Sequence, residues 1–134
     1  MTATAHTIPT FKKNFDGFLD FLRDQEAGTA TLSPKRFSEV FSMDLQTLAA
    51  QAHVHRNTIS RAPASEGVQH FLREALRVIR AAADLSGDVD RSLFWYRNEP
   101  LQPFGYKTAE QLVSDGRTED LLRYIESLEA GAAG

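Results

Sequence analysis

Apolar positions recur at intervals of three and four along most of the chain, and nowhere do apolar and polar residues alternate long enough to make a strand. Phe11, Phe15, Phe18, Leu19 and Leu22 predict an amphipathic helix from Phe11 to near Gly28, with Lys12, Lys13, Asp16 and Asp20 on its polar side. Ser33 followed by Pro34 reads as an N-cap and a first-turn proline, restarting a helix through about Phe41. Leu45, Leu48, Ala49 and Ala52 make a short stripe, and Val54 with Ile59 marks a second, so two short helices meet at "HV". Val68, Phe71, Leu72, Ala75, Leu76, Ile79, Ala82 and Ala83 then define the longest helix, capped by Ser65 and ended by Gly87.

Beyond Gly87 the elements shorten. Asp88 caps a helix that stops before Pro100; Thr108 and Gln111 have the spacing of a capping box; Gly116 closes that helix and Thr118 caps the last. The last helix shares Leu121, Leu122, Ile125 and Leu128 on one face, and "AGAAG" reads as a frayed tail. Trp95 and Phe104 are large enough to anchor the "EPLQPFGY" loop to the core. The fold class is all-α: a disordered arm over residues 1–10, a helical domain over 11–85 and a small helical domain over 88–131.

Composition narrows the setting. The chain has 134 residues, no cysteine, no apolar run long enough to span a membrane and no signal peptide, which predicts a cytoplasmic protein. Its net charge of -3 conceals an uneven distribution. Residues 35–80 carry seven Lys/Arg against four Asp/Glu, whereas residues 81–134 carry five against ten. One anionic partner and one different partner would fit such a division.

The basic middle contains "HVHRNTISR", residues 53–61. A helix-turn-helix needs a small residue where its helices cross, a turn residue that tolerates positive φ, and a branched apolar residue in the second helix. Ala49, His53 with Val54, and Ile59 supply these over residues 45–61, with histidine where glycine is usual. His55, Arg56, Asn57, Thr58, Ser60 and Arg61 would then occupy the exposed face of a DNA-reading helix, and they are residue types that bond phosphates and base edges. The rival readings are a metal pair at His53 and His55, which lacks helical i, i+4 spacing and a third ligand, and a Ser60 nucleophile without an elbow or orienting carboxylate. A third is a helical pair that serves only as scaffold. Lys35, Arg36, Arg73, Arg77 and Arg80 would neutralise phosphates if they border the reading helix, or form internal ion pairs if they face the acidic third. No phosphate loop, acid–base pair or ligand set appears, so no enzyme, metal or cofactor is expected.

Trp95, Asn98 with Pro100, Gly105, Thr108, Gly116 and Gly131 follow a tryptophan, proline-loop, glycine, capped-helix, glycine, final-helix order. In that order, and in "LSPKRFSEVFSMDLQTLAAQAHVHRNTISR" upstream, the chain from about Leu32 to Gly131 resembles the Xre-type antitoxins with an MbcA/ParS-like toxin-binding domain. Ala109 stands where that family prefers proline, and Glu99 separates Asn98 from Pro100. The resemblance implies an antitoxin that binds a RES-domain, NAD-degrading toxin and represses its own operon on operator DNA, as a homodimer or a larger complex with toxin. It would place toxin contacts at Trp95, Asn98, Phe104, Gly105, Tyr106, Lys107, Thr108, Arg117, Tyr124 and Glu129. The alternative is a free-standing helix-turn-helix transcription regulator whose C-terminal half only dimerises.

Overall fold

The computed structural model describes residues 8–23 and 30–133. Among these the chain is all-α, with eight helices and no strand: α1 Phe15–Leu22, α2 Pro34–Val40, α3 Leu45–Ala52, α4 Arg56–Arg61, α5 Glu66–Ser86, α6 Val89–Asn98, α7 Ala109–Ser114 and α8 Thr118–Ala133. A 3-10 turn, Gln102–Phe104, lies between α6 and α7. No helix among the described residues is long and apolar enough to cross a membrane.

The helix starts follow their side chains. Ser33, Asp44 and Asp88 accept from the backbone amides of Arg36, Thr47 and Arg91. At Thr108 both halves of the capping box form with Gln111. Ser65 occupies the N-cap position of α5 but makes no side-chain cap, and Thr118 is the first residue inside α8 rather than its cap. The final helix runs through Ala133, past the expected end at Gly131.

The N-terminal helix is shorter than its periodicity predicts. Asn14 caps it at Phe15 by accepting from the Gly17 amide at 2.8 Å, and it ends at Leu22. Phe11 cannot belong to it because the Phe11 and Lys12 amides donate to the Asp90 carboxylate, at 3.1 and 2.9 Å, while Lys12 takes a φ of 48°. Phe11 nonetheless reaches the core, edge-on to Phe18 at 5.1 Å. The expected helix end near Gly28 and residues 1–7 of the expected disordered arm lie outside the described residues; Ile8 packs against the core.

α5 is the spine, contacting α2, α3, α6, α7 and α8. One apolar cluster runs from Phe11 through Leu48, Ile59 and Ile79 to Leu112 and Ile125, so it draws on residues both before and after Gly87. Gln69, buried on α5, donates to the carbonyls of Leu32 and Pro63 and accepts from the Leu32 amide, so its burial leaves no amide atom unpaired. Trp95 and Phe104, the expected anchors of the loop, are half-buried and pack against this core, and Tyr96 of α6, 1% exposed, lies within it.

Candidate functional site

α3 ends because His53 enters the left-handed region, at φ 58° and ψ 40°. The Val54 amide reaches back to the Ala49 carbonyl at 3.0 Å, closing the helix in the manner usually left to glycine. The cost of that conformation in a non-glycine residue is offset by the ring: His53 Nε2 donates to the Ser114 carbonyl at 2.8 Å, and the Ser114 hydroxyl donates to the Gln51 carbonyl at 2.7 Å. The α3–α4 turn is thereby fastened to the end of α7. Asp44, at the other end of α3, is held below the ordinary carboxylate range chiefly by the Thr47 amide it caps, then by the Thr47 hydroxyl, with the Arg56 charge adding less.

His55 is the N-cap of α4, its Nδ1 accepting from the Asn57 amide at 3.1 Å, which leaves Nε2 facing outward as a donor. Ile59 is the buried foot of α4. His55, Arg56, Asn57, Ser60 and Arg61 are exposed and Thr58 is half-buried. The two imidazoles are thus engaged with different partners. Neither Arg56 nor Arg61 forms an ion pair with any described residue.

Most of the flanking cations are engaged elsewhere. Arg73 pairs with Glu66 at 3.0 Å, and Arg77 bridges Glu119 at 2.8 Å and Glu74 at 3.1 Å. Those bonds, to Glu119 first and Glu74 second, hold the Arg77 guanidinium above its usual range. Arg80 lies over the Phe15 ring at 5.4 Å, and Arg36 donates to the Phe21 carbonyl while stacking on its ring. The ion-pair alternative holds for Arg77, which reaches Glu119 in the acidic third; Arg73 pairs with Glu66 on its own helix, and Lys35 and Arg80 are exposed without an ion pair among the described residues.

The C-terminal set divides in two. Around the loop, Leu101 and Lys107 form a bridge, Gly105 and Tyr106 both take positive φ (66° and 67°), and Tyr106 is 65% exposed. Phe104 stands edge-on to Tyr124 at 5.6 Å with Arg117 over its ring at 5.1 Å. Lys107 pairs with Asp115 at 2.7 Å and Thr108 is used as a cap. Trp95 instead lines an open groove of about 290 Å³ with Leu85 of α5, Phe94 of α6 and Leu128 of α8. Glu129 is exposed on the next residue of α8, and Asn98 bonds back to the Phe94 carbonyl of its own helix.

Sequence reasoning missed Phe94, 70% exposed, and the role of Ser114. It also missed a shielded polar cluster joining α3, α6 and α7: Gln51, Tyr96, Arg97 and Glu110. Arg97 donates to the Phe41 carbonyl and stands 3.9 Å from Glu110. The Tyr96 hydroxyl, Gln51 Oε1 and Glu110 Oε2 have no hydrogen-bond partner. Burial pushes the Glu110 carboxyl up against the opposing pull of Arg97, and burial, then the charge of Glu110, keeps Tyr96 protonated. No signal in the sequence marks such a cluster, because its members lie on three helices.

Compared with family models, curated proteins and solved structures, the chain has no match.

Proposed function

We propose that the chain is the antitoxin of a toxin–antitoxin pair, a helix-turn-helix repressor of its own operon that neutralises a RES-domain, NAD-degrading toxin by direct binding. The observation that carries the DNA half is α4: two exposed arginines without ion pairs, beside an αL turn, in a molecule whose α5 arginines are engaged elsewhere. The toxin half rests on the sequence resemblance and on the exposed aromatic loop after α6.

In this reading α4 enters the major groove, where a guanidinium can take both acceptors of a guanine and Asn57 can take an adenine edge. His55 Nε2–H and the Ser60 hydroxyl are phosphate or base donors at the same face. A six-residue helix is about 9 Å long, enough for about three base pairs, so useful specificity requires two copies on two half-sites. The toxin half uses Tyr106, whose left-handed backbone aims an aromatic ring at solvent, with Phe104, Arg117 and Tyr124 behind it. The acidic C-terminal third suits an enzyme whose pocket takes an anionic dinucleotide.

Co-expression with the adjacent reading frame tests the reading. The expected result is a stable complex and relief of growth arrest, both weakened by Tyr106→Ala. No complex with an intact neighbouring toxin contradicts it, and operator binding without any such complex points to the free-standing regulator.

A further inference from the structure

The groove between α5, α6 and α8 is an open, largely apolar surface that no other described element covers. Phe94 is 70% and Leu128 40% exposed on it, and the tryptophan of the chain, Trp95, forms part of its floor. Soluble monomers seldom leave large aromatic residues clustered in water without a partner. One wall is α8, and from Glu126 to Gly131 every residue of α8 is exposed, so about a turn and a half of helix extends beyond its own core. Ile125 and Leu128 carry the helix's apolar face out of the core and into the groove.

Charge says what covers it. The end of α8 is negative three times over: Glu126, Glu129 and the partial charge of the helix C-terminus, with no basic residue in its last turn. None of these charges is answered by a described residue of the same chain. Arg91, in the first turn of α6, lines the groove and likewise has no ion pair among the described residues. Glu99, at the other end of α6 about 12 Å away, would repel the acidic end and so fixes its direction. Surface and complement are therefore both present on one chain, which is the condition for an isologous interface.

We propose that this groove is a two-fold interface with a second copy of the chain, in which the exposed end of each α8 lies in the groove of the other, Leu128 against Phe94 and Trp95, and Glu129 beside Arg91. The proposal stands independently of the antitoxin reading. It places Trp95 and Glu129 in the homodimer and leaves the Tyr106 loop for another protein.

Sedimentation of the purified full chain is the test, with tryptophan emission followed on dilution. The expected result is a dimer whose emission shifts to longer wavelength as it dissociates. Phe94→Asp and Leu128→Asp should each raise the dissociation constant by at least about tenfold while leaving the melting curve of the monomer cooperative. Arg91→Glu should do the same, and adding Glu129→Arg to it should restore the dimer, a result that loss of folding cannot imitate. A chain that sediments as a monomer throughout, or a dimer indifferent to all three single changes, overturns the proposal. A monomer whose groove variants lose only their complex with the neighbouring gene product overturns it in favour of a protein partner there.

Discussion

His53 and Tyr106 both turn the chain through a left-handed backbone without being glycine, at φ 58° and 67°, yet their side chains meet opposite conditions. The His53 ring is fastened to the Ser114 carbonyl, and its turn sets the angle at which α4 leaves α3. Tyr106 is held only through its backbone, by the Leu101 carbonyl at 2.9 Å, and its ring points into water. The strain at His53 is compensated by a side-chain bond; at Tyr106 only backbone hydrogen bonds hold the turn, and the side chain makes none. The charges divide in the same way. Around the loop, Lys107, Arg117 and Arg123 are paired with Asp115 and Asp120, whereas the arginines of α4 are left to solvent.

Both regions rest on one core, and the largest expected effect comes from breaking it. Leu112, fully buried on α7, should cost about 2–5 kcal/mol on truncation to alanine. Because the apolar cluster passes from Leu112 to Leu48 and Ile59, far-UV signal and the emission of Trp95 should melt together; two separate transitions would divide the regions into independent units. His53→Ala keeps the left-handed strain and removes the tie to Ser114, for a loss of about 1 kcal/mol in chemical denaturation, with the amides of α4 exchanging faster than those of α8. Uniform exchange across both would mean that the tie does not hold the turn.

Tyr106→Gly inverts that result. Relief of the left-handed backbone should raise stability by up to about 1 kcal/mol while weakening the partner complex, a trade that His53 cannot offer. If stability falls instead, the ring contributes to the fold and the contrast between the two turns fails. The smallest effect is expected at Glu110. Its pKa is raised in the folded chain, so between the ordinary value of 4.5 and the raised one the folded state holds more protons than the unfolded, and stability declines as pH rises through that window. Glu110→Gln should flatten this part of the stability–pH curve and raise Tm slightly at pH 7; an unchanged slope would show that Arg97 outweighs burial.

Much of this architecture was legible in the residue pattern, for a physical reason: caps and apolar periodicity act over three or four positions. Thr108 with Gln111, Ser33 with Pro34, and Asp88 all start helices where the sequence puts them. What escaped depends on contacts across long separations. Phe11 has perfect helical spacing, but Asp90, 79 residues away, takes its amide and so holds it outside the helix. Trp95 was the conspicuous aromatic, yet Tyr96, one position on, faces inward, and a rotation of one residue on α6 cannot be read without knowing what α6 packs against. The arginines of α5 have the spacing of a basic flank. Glu66 and Glu74 on the same helix take Arg73 and part of Arg77, while the engagement of Arg77 with Glu119 and of Arg80 with Phe15 depends on how distant helices are placed. At α4 the predicted face is exposed as expected apart from Thr58, and His53 takes the positive φ that its position in the turn required.

The central claim is that α4 and the Tyr106 loop serve different partners from one core, and DNA binding tests it most directly. The upstream region of the operon, labelled and titrated at two salt concentrations, should bind more weakly at higher salt. Arg56→Ala and Arg61→Ala should each lose about 1–3 kcal/mol or lower the salt slope by about one, whereas Tyr106→Ala and Arg77→Ala should leave affinity unchanged. Equal affinity for the wild type and both α4 variants, or a loss confined to Tyr106→Ala, would contradict the account.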